Sequence, residues 1–455
     1  HPTNQHLRQQ LDNGGLTKDA YFQQLLRLIY RLIFLFTVEE RGVLHPADDS
    51  KQAQLARRAY SQGYALGRLR EACLKRRNLN RFDDHWQALR ILFKGLAEGE
   101  TRLALPALGG LFNPTQCQTI DAASLSNKHL LLAMRHLRWA YHNGTPAPVD
   151  YRNMGPEELG SVYESLLELV PEIDLTAKTF GFIGITSEGS TAGNARKTSG
   201  SYYTPDSLVQ ELIKSALEPV IARRLAENKA NPTEALLSIR VIDPACGSGH
   251  FLLAAARRLA QELAQLRSED GAVKPADYRH ALREVVSHCI FGVDRNSMAL
   301  ELARTALWLE GFEEGQPLSF LDHHLQCGDA LLGLIDLKAL EYGIPKAAFK
   351  PLSGDDKTVC TALNKANTTA LKQLEKDRKS PQFKLPLAQA NQLAELQDIE
   401  AMPQTTTKQI ARQEKAYNTF LEKAKTNHLR YAADMMLGAF LMPKTEATEN
   451  DIPTT

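Results

Sequence analysis

The stretch that decides the fold is "VIDPACGSGHFLLAAARRLA", Val241 to Ala260. Two apolar residues lead into Asp-Pro, a turn of small residues follows, and a long Ala/Leu run comes after it. Gly247 and Gly249 let the backbone turn sharply and approach a ligand with no Cβ in the way. The helix that opens at His250 offers N–H groups without intrahelical partners. A strand, turn and helix in this order can hold a nucleotide or another adenosine-bearing molecule. A plain glycine turn between strand and helix is the alternative.

The residues around the turn narrow the choice. Asp243 stands just before it, and a carboxylate there repels a diphosphate but pairs with an ammonium group. The turn also lacks the Lys-Ser/Thr pair of a P-loop. Both features favour S-adenosylmethionine, which carries an α-amino group and no phosphate, over NAD or ATP. Further on, "CIFGVDRNSMALELARTALWLE" places Asp294 at the end of the next apolar strand, where an acid can accept from both ribose hydroxyls. Its alternative is a cap for helix Ser297–Leu309. Asp294 lies 45 residues after Gly249, longer than the roughly 20 of a dinucleotide fold, and an intervening helix accounts for the excess. "HLQCGDALLG" carries Asp329 at a third strand end, placed to reach an adenine amine. Upstream, "TSGSYYTPDSLVQELI" starts a helix at Thr204-Pro205 whose first turn could hold a carboxylate, or which is simply a capped helix. Asp322, His323, His324 and Cys327 are a conceivable metal cluster, but nothing else in the chain completes a set.

The segments between these motifs imply an α/β architecture. Strands at Ser238–Ile242, Cys289–Val293 and Leu325–Cys327 alternate with helices at Asp206–Leu225, His250–Leu266, Ala276–His288 and Ser297–Leu309, the pattern of a parallel sheet with helices on its faces. Residues 1–150 read as a helical N-terminal domain, with apolar residues at helical spacing in Tyr21–Val38, Trp86–Leu96 and Leu130–Tyr141. Residues 151–198 read as a helix and linker. Pro156, Glu157 and Glu158 open that helix, Leu159, Val162, Tyr163, Leu166 and Leu167 form its apolar face, and Gly181–Ser201 is Gly/Ser/Thr-rich. Residues 199–345 form the core, and 346–455, polar and helix-prone, a helical insertion.

Bulk composition excludes several classes. Of the 455 residues 43% are hydrophobic and 24% charged, and the net charge is +1. Residues 1–150 hold 20 Lys/Arg against 13 Asp/Glu, a local +7. The densest piece, "RLREACLKRRNLNR" (Arg68–Arg81), suits either phosphate contact or a solvated helix face. Six scattered cysteines without a CxxC pair argue against a zinc ribbon or secreted disulfide scaffold and for a reducing cytoplasm. The most apolar stretch, Tyr21–Val38, is interrupted by Arg27 and Arg31 and reads as a buried helix, not a membrane span.

Taken together, "GSYYTP" (Gly200–Pro205), "DPACGSGHFL" (Asp243–Leu252), "GVDRN" (Gly292–Asn296) and "CGDALLG" (Cys327–Gly333) resemble, in this order, the γ-type amino-methyltransferases that modify adenine N6 in DNA. The resemblance covers about 130 residues and implies a Rossmann-like class I methyltransferase core that binds S-adenosylmethionine. The cofactor positions it implies are Tyr203, Thr204, Asp243, Ala245, Cys246, Gly247, Gly249, Asp294, Arg295, Asp329 and Ala330. Tyr21–Pro46, Gly155–Leu169 and Ala195–Pro205 are similar to large stand-alone methylases of phage-defence loci, first the class 1 DISARM methylase, with type IIG restriction–modification and BREX methylases sharing the core. The implied partners are double-stranded DNA and other defence proteins such as helicase or nuclease subunits, with no membrane, in the cytoplasm. In the implied reaction the adenine is flipped from the duplex and its N6 attacks the methyl group in line.

One departure is plain. The family positions its target amine with Asn/Asp-Pro-Pro followed by Tyr, Phe or Trp, and these 455 residues do not contain that sequence. Asn113-Pro114-Thr115 and Asn231-Pro232-Thr233 lack the second proline and the aromatic ring. No catalytic residue is therefore expected among these positions. The expectation is that residues 346–455 are an insertion and that the catalytic motif follows Thr455, so that the chain alone is inactive. The competing expectation is a non-catalytic module that binds cofactor, DNA or a partner as a scaffold or sensor.

Overall fold

The computed structural model describes residues 4–142, 145–155, 170–177, 179–183, 185–186, 189–190, 204–269, 271–334, 336–379, 389–425 and 428–455. Two compact units result. The first comprises His1–Gly328 with Pro403–Ala411, and the second Asp329–Met402 with Arg412–Thr455.

The spine of the first unit is helix Lys18–Arg41. Thr17 caps it by accepting the Ala20 N–H at 3.1 Å, Asp19 complements the dipole, and Gly42 ends it in the left-handed region (φ 71°). Its apolar stretch is fully packed from Tyr30 to Val38, including Arg31, which is 0% exposed. That guanidinium is satisfied on every side. It bonds both Asp121 carboxylate oxygens (2.9 and 3.0 Å) and the carbonyls of Leu111 (2.9 Å) and Asn113 (3.2 Å). A buried charge is tolerable only when so paired. Six further helices among the described residues, Gln5–Asp12, Lys51–Gly63, Leu66–Ala72, Asp84–Glu98, Gln118–Ala122 and Asn127–Arg138, precede the first strand.

Three antiparallel hairpins follow: β1 (Trp139–His142) with β2 (Thr145–Pro148), β3 (Val170–Asp174) with β4 (Thr179–Ile183), and β5 (Ile185–Thr186) with β6 (Gly189–Ser190). Helical spacing suggested a helix through Tyr141, but the helix ends at Arg138. The helix expected to open at Pro156 lies outside the described residues.

The motif-bearing strands form a three-stranded parallel sheet in the order β7 (Val241–Asp243), β8 (Ile290–Asp294), β9 (Leu325–Cys327). Between β7 and β8 the chain runs through helices His250–Arg267 and Pro275–His288; helix Ser297–Glu310 links β8 to β9. These are the alternating elements the sequence implied, displaced by a few residues. β7 starts later than expected because Pro232–Leu237 is a helix that Ser238 caps. The helix from Asp206 continues to Glu227, but Ile213–Leu217 are wound as a π turn.

The first unit has no boundary at residue 150. A single apolar cluster runs from Phe22 to Leu325. Phe34 packs edge-on against Phe312, and Arg27 bonds Glu301 at 2.8 Å. The helical region and the sheet region share this interior, so apolar periodicity alone could not separate them. The second unit starts at Asp329 rather than 346. It has its own core, including Leu340, Phe349, Val359, Leu363, Met436 and Ile452. Asn367 Oδ1 there accepts from the Thr455 N–H (2.9 Å) and hydroxyl (2.8 Å). No helix among the described residues is long and apolar enough to cross a membrane, and all six cysteines are free.

Candidate functional site

The turn after β7 is built from backbone outward. Cys246 N–H donates to the Val293 carbonyl (2.9 Å) and Gly249 N–H to the Cys246 carbonyl (2.8 Å). The loop is thus folded onto the end of β8. Gly249 has φ 87° and Gly247 φ 53°. A Cβ on Gly249 would lie 3.1 Å from the Ala303 Cβ, whereas one on Gly247 would meet nothing within 4 Å. Gly249 is therefore needed for packing against helix Ser297–Glu310, and Gly247 leaves an open surface above the turn. Below it, Gly292 is obligatory, because a Cβ would come within 2.8 Å of the Cys246 Sγ.

Asp294 joins the two strand ends. Its Oδ2 accepts the Gly247 N–H (2.9 Å) and its Oδ1 the Asn296 N–H (2.8 Å). Capping of the next helix belongs to Asn296, whose side chain accepts from the Met298 N–H at 2.9 Å. A carboxylate has about four acceptor positions, so two backbone bonds leave Asp294 capacity for hydroxyl donors. Asp243 accepts the Ala245 N–H (3.0 Å). Burial pushes its carboxyl above the usual carboxylate range, and the Asp294 charge acts in the same direction against that hydrogen bond. Burial and the same two carboxylates push the Cys246 thiol up to about 12, so it is no thiolate nucleophile at neutral pH. Two acids flanking an open glycine turn form a site that attracts a cationic group and accepts hydroxyls, and that disfavours phosphate.

The other expected positions divide. Ala245 and Arg295 are exposed beside the turn, and the Arg295 carbonyl accepts from the Cys327 thiol at 3.6 Å. Thr204 is half-buried ahead of helix Asp206–Leu212; Pro205 occupies the cap position, and no side chain caps the first turn. That helix is tied to the turn through Asp206, 3.5 Å from His250 Nε2. Tyr203 lies outside the described residues. Asp329 and Ala330 open the second unit, where Asp329 Oδ1 accepts the N–H groups of Leu331 (2.9 Å) and Leu332 (3.2 Å).

The metal alternative does not form among the described residues. Asp322 pairs with Arg304 (3.0 Å), His324 Nδ1 bonds the Ile290 carbonyl (2.7 Å) and stacks on Phe291, and His323 stacks on Phe320. Sequence reasoning missed Gly292 and Ala303, whose small size seats the turn, and the Asp206–His250 contact. The first signal was present in "FGVD", where a glycine interrupts a strand.

Residues 222–327 match the family model described as MmeI, DNA-methyltransferase domain. A protein of Methanocaldococcus jannaschii, named as a type II restriction enzyme and methyltransferase, is 24% identical over 365 residues, covering 68% of this chain and 27% of its own. Adenine-specific methyltransferase PglX of Streptomyces coelicolor is 27% identical over 146 residues, 30% of this chain and 11% of the relative. The type IIL restriction-modification enzyme MmeI, solved in complex with DNA, aligns with 70% of this chain and 38% of its own at 18% identity and a TM-score of 0.38. The chain thus spans about a quarter of the length of the first relative.

Proposed function

We propose that the Asp243–Gly249 turn binds S-adenosylmethionine and that this chain is the cofactor-binding part of a DNA adenine-N6 methyltransferase that marks host DNA as self. The observation that carries the reading is the pairing of the Gly247 N–H with Asp294, which sets an open glycine surface between two carboxylates. The match of residues 222–327 to a DNA-methyltransferase domain supports it. On this reading the core is Rossmann-like. Asp243 pairs with the cofactor ammonium, Gly247 allows its close approach on a turn that Gly249 seats, and Asp294 accepts from the ribose. Ala245, Cys246 and Arg295 supply the surrounding wall, and Tyr203 and Thr204 hold the carboxylate end. Bound there, the cofactor would supply an activated methyl group. No residue of this chain is assigned as the group that receives the target amine, because Asn/Asp-Pro-Pro-aromatic is absent from the 455 residues. The assignment to a class 1 DISARM system rests on Tyr21–Pro46, Gly155–Leu169 and Ala195–Pro205 alone.

Calorimetry with S-adenosylmethionine, ATP and NAD tests the pocket. S-adenosylmethionine binding that weakens tenfold or more in Asp294→Ala is the expected result, with any ATP or NAD affinity left as it was by that variant; an unchanged S-adenosylmethionine affinity, or ATP binding that Asp294→Ala abolishes, would refute it. Methylation-sensitive sequencing of host DNA with and without the full-length gene tests the activity. Cofactor binding with no modified adenine would favour the scaffold reading.

A further inference from the structure

A second cavity, of about 370 Å³, lies in the first unit between the C-terminal end of helix Lys18–Arg41, the loop at residues 150–154 and helix Pro275–His288. It shares no residue with the Asp243–Gly249 turn. Its polar lining is Arg41, Arg152, Asn153, Tyr278, Arg279 and Glu310. The single carboxylate, Glu310, is already neutralised by two bonds from Arg257 (2.6 and 3.0 Å). Among the described residues Arg41 donates to the carbonyls of Arg152 (3.1 Å) and Met154 (3.2 Å), and no carboxylate forms an ion pair with Arg152 or Arg279. Three arginines from three separate segments therefore line one concavity, and the nearest counter-charge besides Glu310 is Asp150, which Arg152 helps to hold below the usual carboxylate range after the bonds from Asn153. Like charges so placed repel one another, and folding holds them there at a cost.

The arrangement is also fixed in advance. Glu40 accepts the N–H groups of Tyr151 (3.1 Å) and Arg152 (3.0 Å), and Arg41 holds the same loop by its carbonyls. Asp150 accepts from the Asn153 backbone (3.2 Å) and side chain (2.7 Å). A rigid fork of guanidinium donors is the arrangement that recognises phosphate, and a concave basic wall concentrates anions.

We propose that this cavity binds a phosphate group, carried either by the DNA backbone or by a free nucleotide. Arg152 and Arg279 contribute the free guanidinium forks, Arg41 a third donor, and Asn153 an amide at the rim. The proposal rests on these residues and stands whether or not the turn binds S-adenosylmethionine.

The test uses the chain as it is, with Arg152→Gln/Arg279→Gln against a charge-matched control, Arg58→Gln/Arg223→Gln, on exposed positions. Titration with pyrophosphate and ATP by calorimetry, and with a labelled duplex by anisotropy at several salt concentrations, reads the two sources. If a nucleotide is the ligand, pyrophosphate and ATP affinity falls about tenfold or more in the cavity variant only. If the DNA backbone is the source, duplex binding falls similarly and its salt dependence flattens by about one unit of slope. Equal loss in the control, or no loss for any of the probes, or no binding by the parent chain, would overturn the proposal.

Discussion

Replacing the two turn glycines separately should divide packing from ligand access. Both adopt positive φ, so alanine at either costs about 1–2 kcal/mol in backbone strain, offset in part by about 0.4–1 kcal/mol from a less flexible unfolded chain. At Gly247 nothing lies within 4 Å of the new methyl, and the net loss should stay near 1 kcal/mol. At Gly249 the methyl would sit 3.1 Å from the Ala303 Cβ and 3.4 Å from its Cα. The neighbour is a helix backbone and cannot rotate away, so overpacking adds about 1–3 kcal/mol. Gly249→Ala should therefore lose about 2–4 kcal/mol in urea unfolding. The ranking reverses for the proposed ligand. The methyl of Gly247→Ala projects into the open surface above the turn and should weaken S-adenosylmethionine binding by tenfold or more, about 1.4 kcal/mol, in a protein that is still well folded. Equal stability of the two variants would contradict the packing argument. Parent-like cofactor affinity of Gly247→Ala would refute the placement of the ligand.

Two more outcomes concern the interior. Arg31→Met strands the Asp121 carboxylate and two carbonyls, and should cost about 3–5 kcal/mol in denaturant unfolding; Arg31→Met/Asp121→Leu should recover part of this, and no recovery would mean the loss is one of shape. Burial, helped by the His288 charge, pushes His323 down from an ordinary 6.5 to about 4, and burial followed by His323 holds His324 well below its usual value. The folded state therefore resists protons that the unfolded chain accepts. Stability is intact above pH 6.5 and falls as pH drops from there toward 4, with His323 alone accounting for about 2 kcal/mol between pH 8 and pH 5. His323→Gln should flatten that slope in urea titrations, and an unchanged slope would assign the acid sensitivity elsewhere.

The parallel sheet was readable because β7 and β8 each end in an acid, Asp243 and Asp294, a few residues before a long helix-forming run. Their partners across the fold were less readable. That Asp294 would hold the Gly247 N–H depends on β7 and β8 lying side by side with Asp243 opposite Gly292, and no local pattern encodes that register. The β3–β4 hairpin escaped notice because its turn lacks an Asn-Gly signal. It is closed instead by Asp174 Oδ1, which accepts from Thr176 and Ala177 (both 2.8 Å). Arg31 looked like an interruption of an apolar helix, and only the chain 80 to 90 residues later, at Leu111, Asn113 and Asp121, makes it a core residue. The compact unit that begins at Asp329 opens inside "CGDALLG" (Cys327–Gly333), which reads as the end of a core strand, so the change of composition near residue 346 does not mark its start.

The shared interior of the helical and sheet regions bears on how this chain could be recombined. Phe34 touches both Phe112 and Phe312, and Arg27 reaches Glu301 across 274 positions. A splice at residue 150 would bare one side of this apolar seam on each fragment, leaving two sticky halves rather than two modules. Grafts between related chains that exchange the leading helices should therefore bring along helix Ser297–Glu310, the wall those helices lean on, or re-evolve it.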